Sequence, residues 1–64
     1  MLLIYAKHRG DKKYRPMDTT LGVPVNNLMY ASVYEDSDRD RLNHLLVELR
    51  EENKDWKFEI RHHK

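Results

Sequence analysis

The chain has 64 residues, a formal net charge of +1 and no cysteine. That length gives one domain, residues 1–64, with a thin core, and the missing cysteine excludes a disulfide framework and thiolate metal sites. The near-neutral balance argues against a strongly basic nucleic-acid binder, and no apolar run reaches membrane-span length.

In chain order, "MLLIYA" is too short for a signal-peptide core and has no basic segment before it, so the expected location is cytoplasmic, with no membrane association. "LLIYAKH" reads as a strand with Leu2, Ile4 and Ala6 on one side and Leu3, Tyr5 and Lys7 on the other. "RGDK" supplies a turn, with Gly10 free to take a positive φ and Asp11 able to cap it. "KYRPMD" returns as a second strand, placed at an edge or locally broken because Pro16 has no N–H to donate. "TTLGVPVNN" is a turn-rich connection.

"LMYASVY" is expected to be the third strand, with Met29, Ala31 and Val33 on one face and Leu28, Tyr30, Ser32 and Tyr34 on the other. Ser37 followed by Asp40 resembles a capping box. Leu42, Leu45, Leu46 and Leu49 then mark one apolar stripe of a helix over about residues 38–52, with Asn53 as a left-handed cap. Finally, Trp56, Phe58 and Ile60 alternate with Lys57, Glu59 and Arg61 as a last strand.

The expected fold is therefore α+β: one small sheet of about four strands in the order β-β-β-α-β, with one amphipathic helix on one face. The crossover rule makes the third and fourth strands parallel. The expected core is Leu2, Ile4, Ala6, Met29, Ala31, Val33, Trp56, Phe58 and Ile60 beneath the leucine stripe.

A single helix leaves the second sheet face open, and this face carries the candidate binding residues. Tyr5, Tyr14, Tyr30 and Tyr34 are its anchors, rimmed by Lys7, Arg9, Lys12, Lys13 and Arg15. Residues 7–15 hold those five cations against Asp11 alone, whereas residues 35–52 hold seven acids against three arginines. A basic hairpin thus stands apart from an acidic helix. The leading expectation is a non-catalytic module that uses this face for a protein partner or for self-association. The alternative is a single-stranded nucleic-acid binder whose tyrosines stack bases while its cations track phosphates. Tyrosine also suits strands, and lysine guards exposed edges, without any ligand.

No cofactor, metal or enzymatic activity is expected. His62 and His63 are adjacent and point to opposite sides of an extended chain. The sequence has no phosphate-cradling glycine loop and no nucleophile elbow. His8, Asp11 and Asp18 could meet across the first hairpin, as such residues do in any small hairpin. The tripeptide "RGD" at 9–11 is too short to carry meaning, and the acidic helix is interrupted by Arg39, Arg41 and Arg50, as a solvated face is.

The segments "YAKHRGDKKYRPMD", "VNNLMYASVYED" and "WKFEIR" together resemble a family of small proteins from bacteria and their phages or mobile elements. The resemblance covers about residues 5–61 and implies a mobile-element accessory factor. By analogy with anti-CRISPR proteins, such a factor binds and inhibits host machinery. It carries no site residue with it.

Overall fold

Four strands and one helix form in the computed structural model, which describes residues 1–63. Leu2–His8 is β1, Arg15–Asp18 β2, Val23–Pro24 β3, Arg39–Glu52 α1 and Trp56–His62 β4. They make a small α+β fold in which one sheet, ordered β3-β2-β1-β4, carries α1 on one face.

β1 holds the centre because it is the most apolar stretch and can be covered on both faces. Its even positions, Leu2, Ile4 and Ala6, join Met17, Phe58, Leu42 and Leu46 in the core under α1. Leu2, Ile4 and Leu42 are wholly buried, and each such side chain contributes about 1.5–3 kcal/mol. Tyr34, Leu45, Leu49, Trp56 and Ile60 pack around this cluster. Arg50 near the end of the helix donates to the Phe58 carbonyl on β4 at 3.1 Å, which ties the last helical turn to the strand.

All strand pairs are antiparallel. The β-β-β-α-β order holds, but the third strand is not the segment expected. Val23–Pro24 takes that place, while Leu28–Tyr30 forms a 3₁₀ turn and Tyr34 makes a lone bridge to Leu2. The cause lies in the neighbours of β1. One side is paired along its whole length by β4, from Leu2 opposite His62 to His8 opposite Trp56. The other side is held by β2 at Tyr5 and Ala6. A single opening remains at Leu2, and Tyr34 fills it with a reciprocal pair of backbone hydrogen bonds of 2.7 and 2.9 Å. Among the described residues no strand therefore lies parallel to β4. Met29 and Val33, expected in the core, are exposed; Met17 occupies the interior instead.

Pro16 is accommodated inside the sheet rather than at its edge. Arg15 pairs with Ala6, so the backbone groups of Pro16 face away from β1, and its carbonyl accepts from Val25 N–H at 2.8 Å. No hydrogen bond to the central strand is lost.

The turns also differ in detail from expectation. Gly22, not Gly10, has the positive φ, at 71°. Asp18 accepts from the Thr20 and Leu21 N–H groups at 2.9 and 3.1 Å, fixing the β2–β3 turn that ends at Gly22. Ser37 lies within a 3₁₀ turn over Asp36–Asp38, and α1 begins without a side-chain cap among the described residues. Asn53 caps the far end with a negative φ of −133° rather than in a left-handed conformation, its backbone N–H and its side-chain amide both donating to Leu49 O.

Candidate functional site

The open sheet face is built by the odd positions of β1 and their partners. Leu3 lies opposite Arg61, Tyr5 opposite Glu59 and Lys7 opposite Lys57. This face is smaller than expected because it covers itself. Leu3 is 1% and Tyr5 8% exposed, although no helix lies over them. The Arg61 guanidinium lies over both Tyr5 and Tyr14, 4.4 and 5.2 Å from the ring centroids. His63 stacks beside Tyr5, and the Tyr5 hydroxyl and His63 Nε2 are 2.7 Å apart. Lys7 Nζ lies 5.6 Å from the Tyr14 ring. Cations on ring faces are attracted by the aromatic quadrupole, so Arg61 acts as a lid on two tyrosines.

Of the candidate binding residues, Tyr5, Tyr14 and Lys7 come together here. Lys12 and Lys13 are exposed at the tip of the neighbouring turn. Asp11 organises that turn: it accepts from the His8 N–H at 3.1 Å and pairs with Arg15 at 3.6 Å. Arg15 lies beside Ala6 in the ladder, so it falls on the helix side of the sheet, and it also donates to Asn26 at 3.5 Å. Arg9 is exposed at the end of β1, its N–H donating to Asp55 O at 2.8 Å.

Tyr30 and Tyr34 do not share that face. Tyr34 packs against the core, with its hydroxyl hydrogen-bonded to Thr19 Oγ1. Tyr30 stands in the 3₁₀ turn, 65% exposed, next to Met29 at 78%. Leu21, Val23, Leu28 and Val33 are exposed on the same connection between β2 and α1.

The backbone of this connection is nevertheless fixed. Asn27 Oδ1 accepts from Met29 N–H, Ser32 N–H donates to Met17 O, and Thr19 N–H donates to Ser32 Oγ, all at 2.9–3.0 Å. Sequence reasoning missed both Arg61 and this exposed run. Arg61 was one of three alternating charges that the last strand puts on the open face, with nothing to mark that it would lie over the tyrosines. The exposed run was hidden by an alternation that suits a strand equally well.

Among the described residues no group of three or more His, Cys, Asp or Glu side chains could hold a metal ion, and no helix is long and apolar enough to cross a membrane. Comparison with protein-family models, with curated proteins and with solved structures finds no match for this chain.

Proposed function

We propose that the chain is a non-catalytic protein-binding module that presents the β2–α1 connection, led by Met29 and Tyr30, to a protein partner. One observation carries this reading: six large apolar or aromatic side chains between positions 21 and 33 point to solvent from a backbone held in place by side-chain and main-chain hydrogen bonds. Isolated exposed apolar residues are ordinary, but a clustered run marks an interaction surface. Preorganisation lowers the ordering cost on binding, and tyrosine and methionine are favoured at interfaces. The basic hairpin of Arg9, Lys12 and Lys13 steers an acidic partner toward the surface. The resemblance to phage and mobile-element proteins and the cysteine-free composition support a cytoplasmic accessory factor that inhibits host machinery in the manner of anti-CRISPR proteins.

The test compares immobilised wild type with two double variants, Met29→Ser with Tyr30→Ala and Lys12→Ala with Lys13→Ala, in an extract of the source cells. Retention is measured at low and high salt. The connection variant is expected to lose the partner while keeping its circular dichroism spectrum; the lysine variant keeps the partner and binds it more slowly. The reverse pattern, with salt abolishing what remains, assigns binding to the hairpin and to nucleic acid.

A further inference from the structure

The two edges of the sheet are built differently. β3 closes one edge with two residues, the second of them Pro24, and a short edge strand with a proline resists further pairing. β4 forms the other edge with seven residues, Trp56–His62, and contains no glycine or proline. Its pairing with β1 runs without a bulge from His62 to Trp56. Hydrogen-bonded pairs alternate along an antiparallel ladder. Main-chain bonds join His63 N–H to Met1 O at one end and Arg9 N–H to Asp55 O at the other, so the odd positions of β4 bond to β1 and the even positions turn outward. Two contacts agree with this: Trp56 N–H donates to Asn53 O, and Phe58 O accepts from Arg50. Among the described residues the Phe58 N–H and both main-chain groups of Ile60 and His62 have no partner.

An outward row of this length accepts a further antiparallel strand. The side chains decide which strand fits. Glu59 and Arg61 lie on the open face, with Ile60 between them on the helix face. When two copies of β4 pair about a twofold axis through Ile60, each Glu59 falls directly opposite the second copy's Arg61. The Ile60 main-chain groups then bond to each other across the axis. Phe58 N–H donates to the second copy's His62 carbonyl, and that His62 N–H reaches the lone pair of the Phe58 carbonyl that Arg50 leaves free. On the helix face the two Ile60 side chains meet. On the open face Lys57 falls opposite the second copy's His63, a residue whose ring is held by its own Tyr5. Moving the axis one residue either way loses the match. It sets Arg61 against Arg61 or Glu59 against Glu59, and directly opposed like charges destabilise a sheet.

From this edge we infer that β4 pairs with β4 of a second copy of the chain, making a twofold dimer whose sheet is continuous across both molecules. Complementary charge carries the choice of occupant: the Glu59–Arg61 pair within one strand becomes a cluster of alternating charges across two. The edge lies on the side of the sheet away from β3. It shares no residue with the apolar connection proposed above to bind protein, and neither proposal depends on the other.

Sedimentation of the purified chain is followed from about 1 μM to about 1 mM, the range in which a small interface associates. A monomer–dimer equilibrium is expected. Glu59→Arg and Arg61→Glu each set like charges opposite one another on both sides of the axis, and each should weaken the dimer about tenfold or more. Mixing the two variants in equal amounts should restore association to within about threefold of wild type, because the mixed dimer again opposes unlike charges. Amide hydrogen exchange of the wild type needs no substitution: the Phe58, Ile60 and His62 N–H groups should become protected as concentration rises. This second readout decides the matter where Arg61→Glu, which uncovers Tyr5, fails to fold. The inference is overturned if the chain stays monomeric throughout, if the folded single variants associate as wild type does, or if mixing the two folded variants restores nothing. It is overturned equally if concentration-dependent protection centres on Leu28–Tyr30, which assigns self-association to the connection.

Discussion

The guanidinium of Arg61 lies 4.4 Å from the Tyr5 ring centroid and so closes the sheet face that α1 leaves uncovered. The same side chain reaches Tyr14 and pairs with Glu59, and its strand position is directly across from Leu3. Arg61→Ala is expected to cost about 1–2 kcal/mol, from the lost cation–aromatic contact and from the lost cover of the aliphatic stem. Arg61→Met, which keeps a long apolar stem, should recover part of that. Urea unfolding measures both. A change below about 0.5 kcal/mol for Arg61→Ala, the size of an ordinary surface substitution, refutes the lid.

The leucine stripe is graded in burial, and its stability effects should follow the grading. Leu42 is wholly buried, whereas Leu45 is partly exposed. Leu42→Ala should cost about 2–5 kcal/mol, comparable to the entire stability of a chain this short. Leu45→Ala should cost about 1 kcal/mol, since less apolar surface returns to water. Circular dichroism at 37 °C is expected to show Leu42→Ala largely unfolded and Leu45→Ala folded. The opposite order contradicts the placement of α1 on the sheet.

The two glycines should respond differently to the same substitution. Gly22 sits at φ 71°, where a Cβ is strained, and Gly10 does not. Gly22→Ala is therefore expected to destabilise by about 1 kcal/mol. Gly10→Ala has open space around the new methyl and should lie within about 0.5 kcal/mol of wild type. Paired thermal melts decide this, and equal losses would falsify the assignment of the strained turn to Gly22.

Asp36 joins the start of the helical region to the end of β4. Its carboxylate lies 3.3 Å from His62 Nε2 and 3.6 Å from the Met1 ammonium. Desolvation, the largest single influence, pushes its carboxyl up, but the hydrogen bond with His62 and the neighbouring positive charges together outweigh it and hold the carboxyl below the ordinary 3.8. A value lower in the folded than in the unfolded state means stabilisation that is present above 3.8 and lost as pH falls through the folded value. The effect is small because both side chains are solvated. Carboxyl-carbon titration should place the Asp36 midpoint below 3.8 in the wild type and nearer to it in His62→Gln. An unshifted midpoint in the wild type rules the contact out.

α1 and β4 were legible because each has a periodicity with one structural solution, and β1 because a short apolar run bounded by a glycine turn has the length of a strand. The leucines at 42, 45, 46 and 49 fit a helix and no strand, and Trp56, Phe58 and Ile60 fit a strand and no helix. Residues 28–34 alternate just as well, but alternation states that a segment could be a strand, not that a sheet has room for it. That room depended on β4 returning beside β1, a pairing between residues some fifty positions apart. The Asn27 side chain, which caps Met29, offered a local signal for the 3₁₀ turn. The candidate site suffered from the same gap. Tyr34 was assigned to the open face by counting twos along a strand that does not form, and once that strand is gone its ring turns to the core. Tyr5 was placed on the correct face, but its cover comes from Arg61, and no spacing rule connects the two positions.

The central position of β1 has a consequence for the newly made chain. "LLIYA" leaves the ribosome well before its main partner, Trp56–His62, is made. During synthesis the most apolar segment thus has one short neighbour, β2, and an open edge of the kind that recruits other strands. The sheet closes only when β4 pairs with β1 across the intervening residues, which slows folding relative to a helical protein of equal length. Nascent molecules on neighbouring ribosomes are exposed to cross-pairing through Leu2–Ala6 until β4 emerges, so the yield of native protein should rise when translation is sparse or when a holdase shields the first strand.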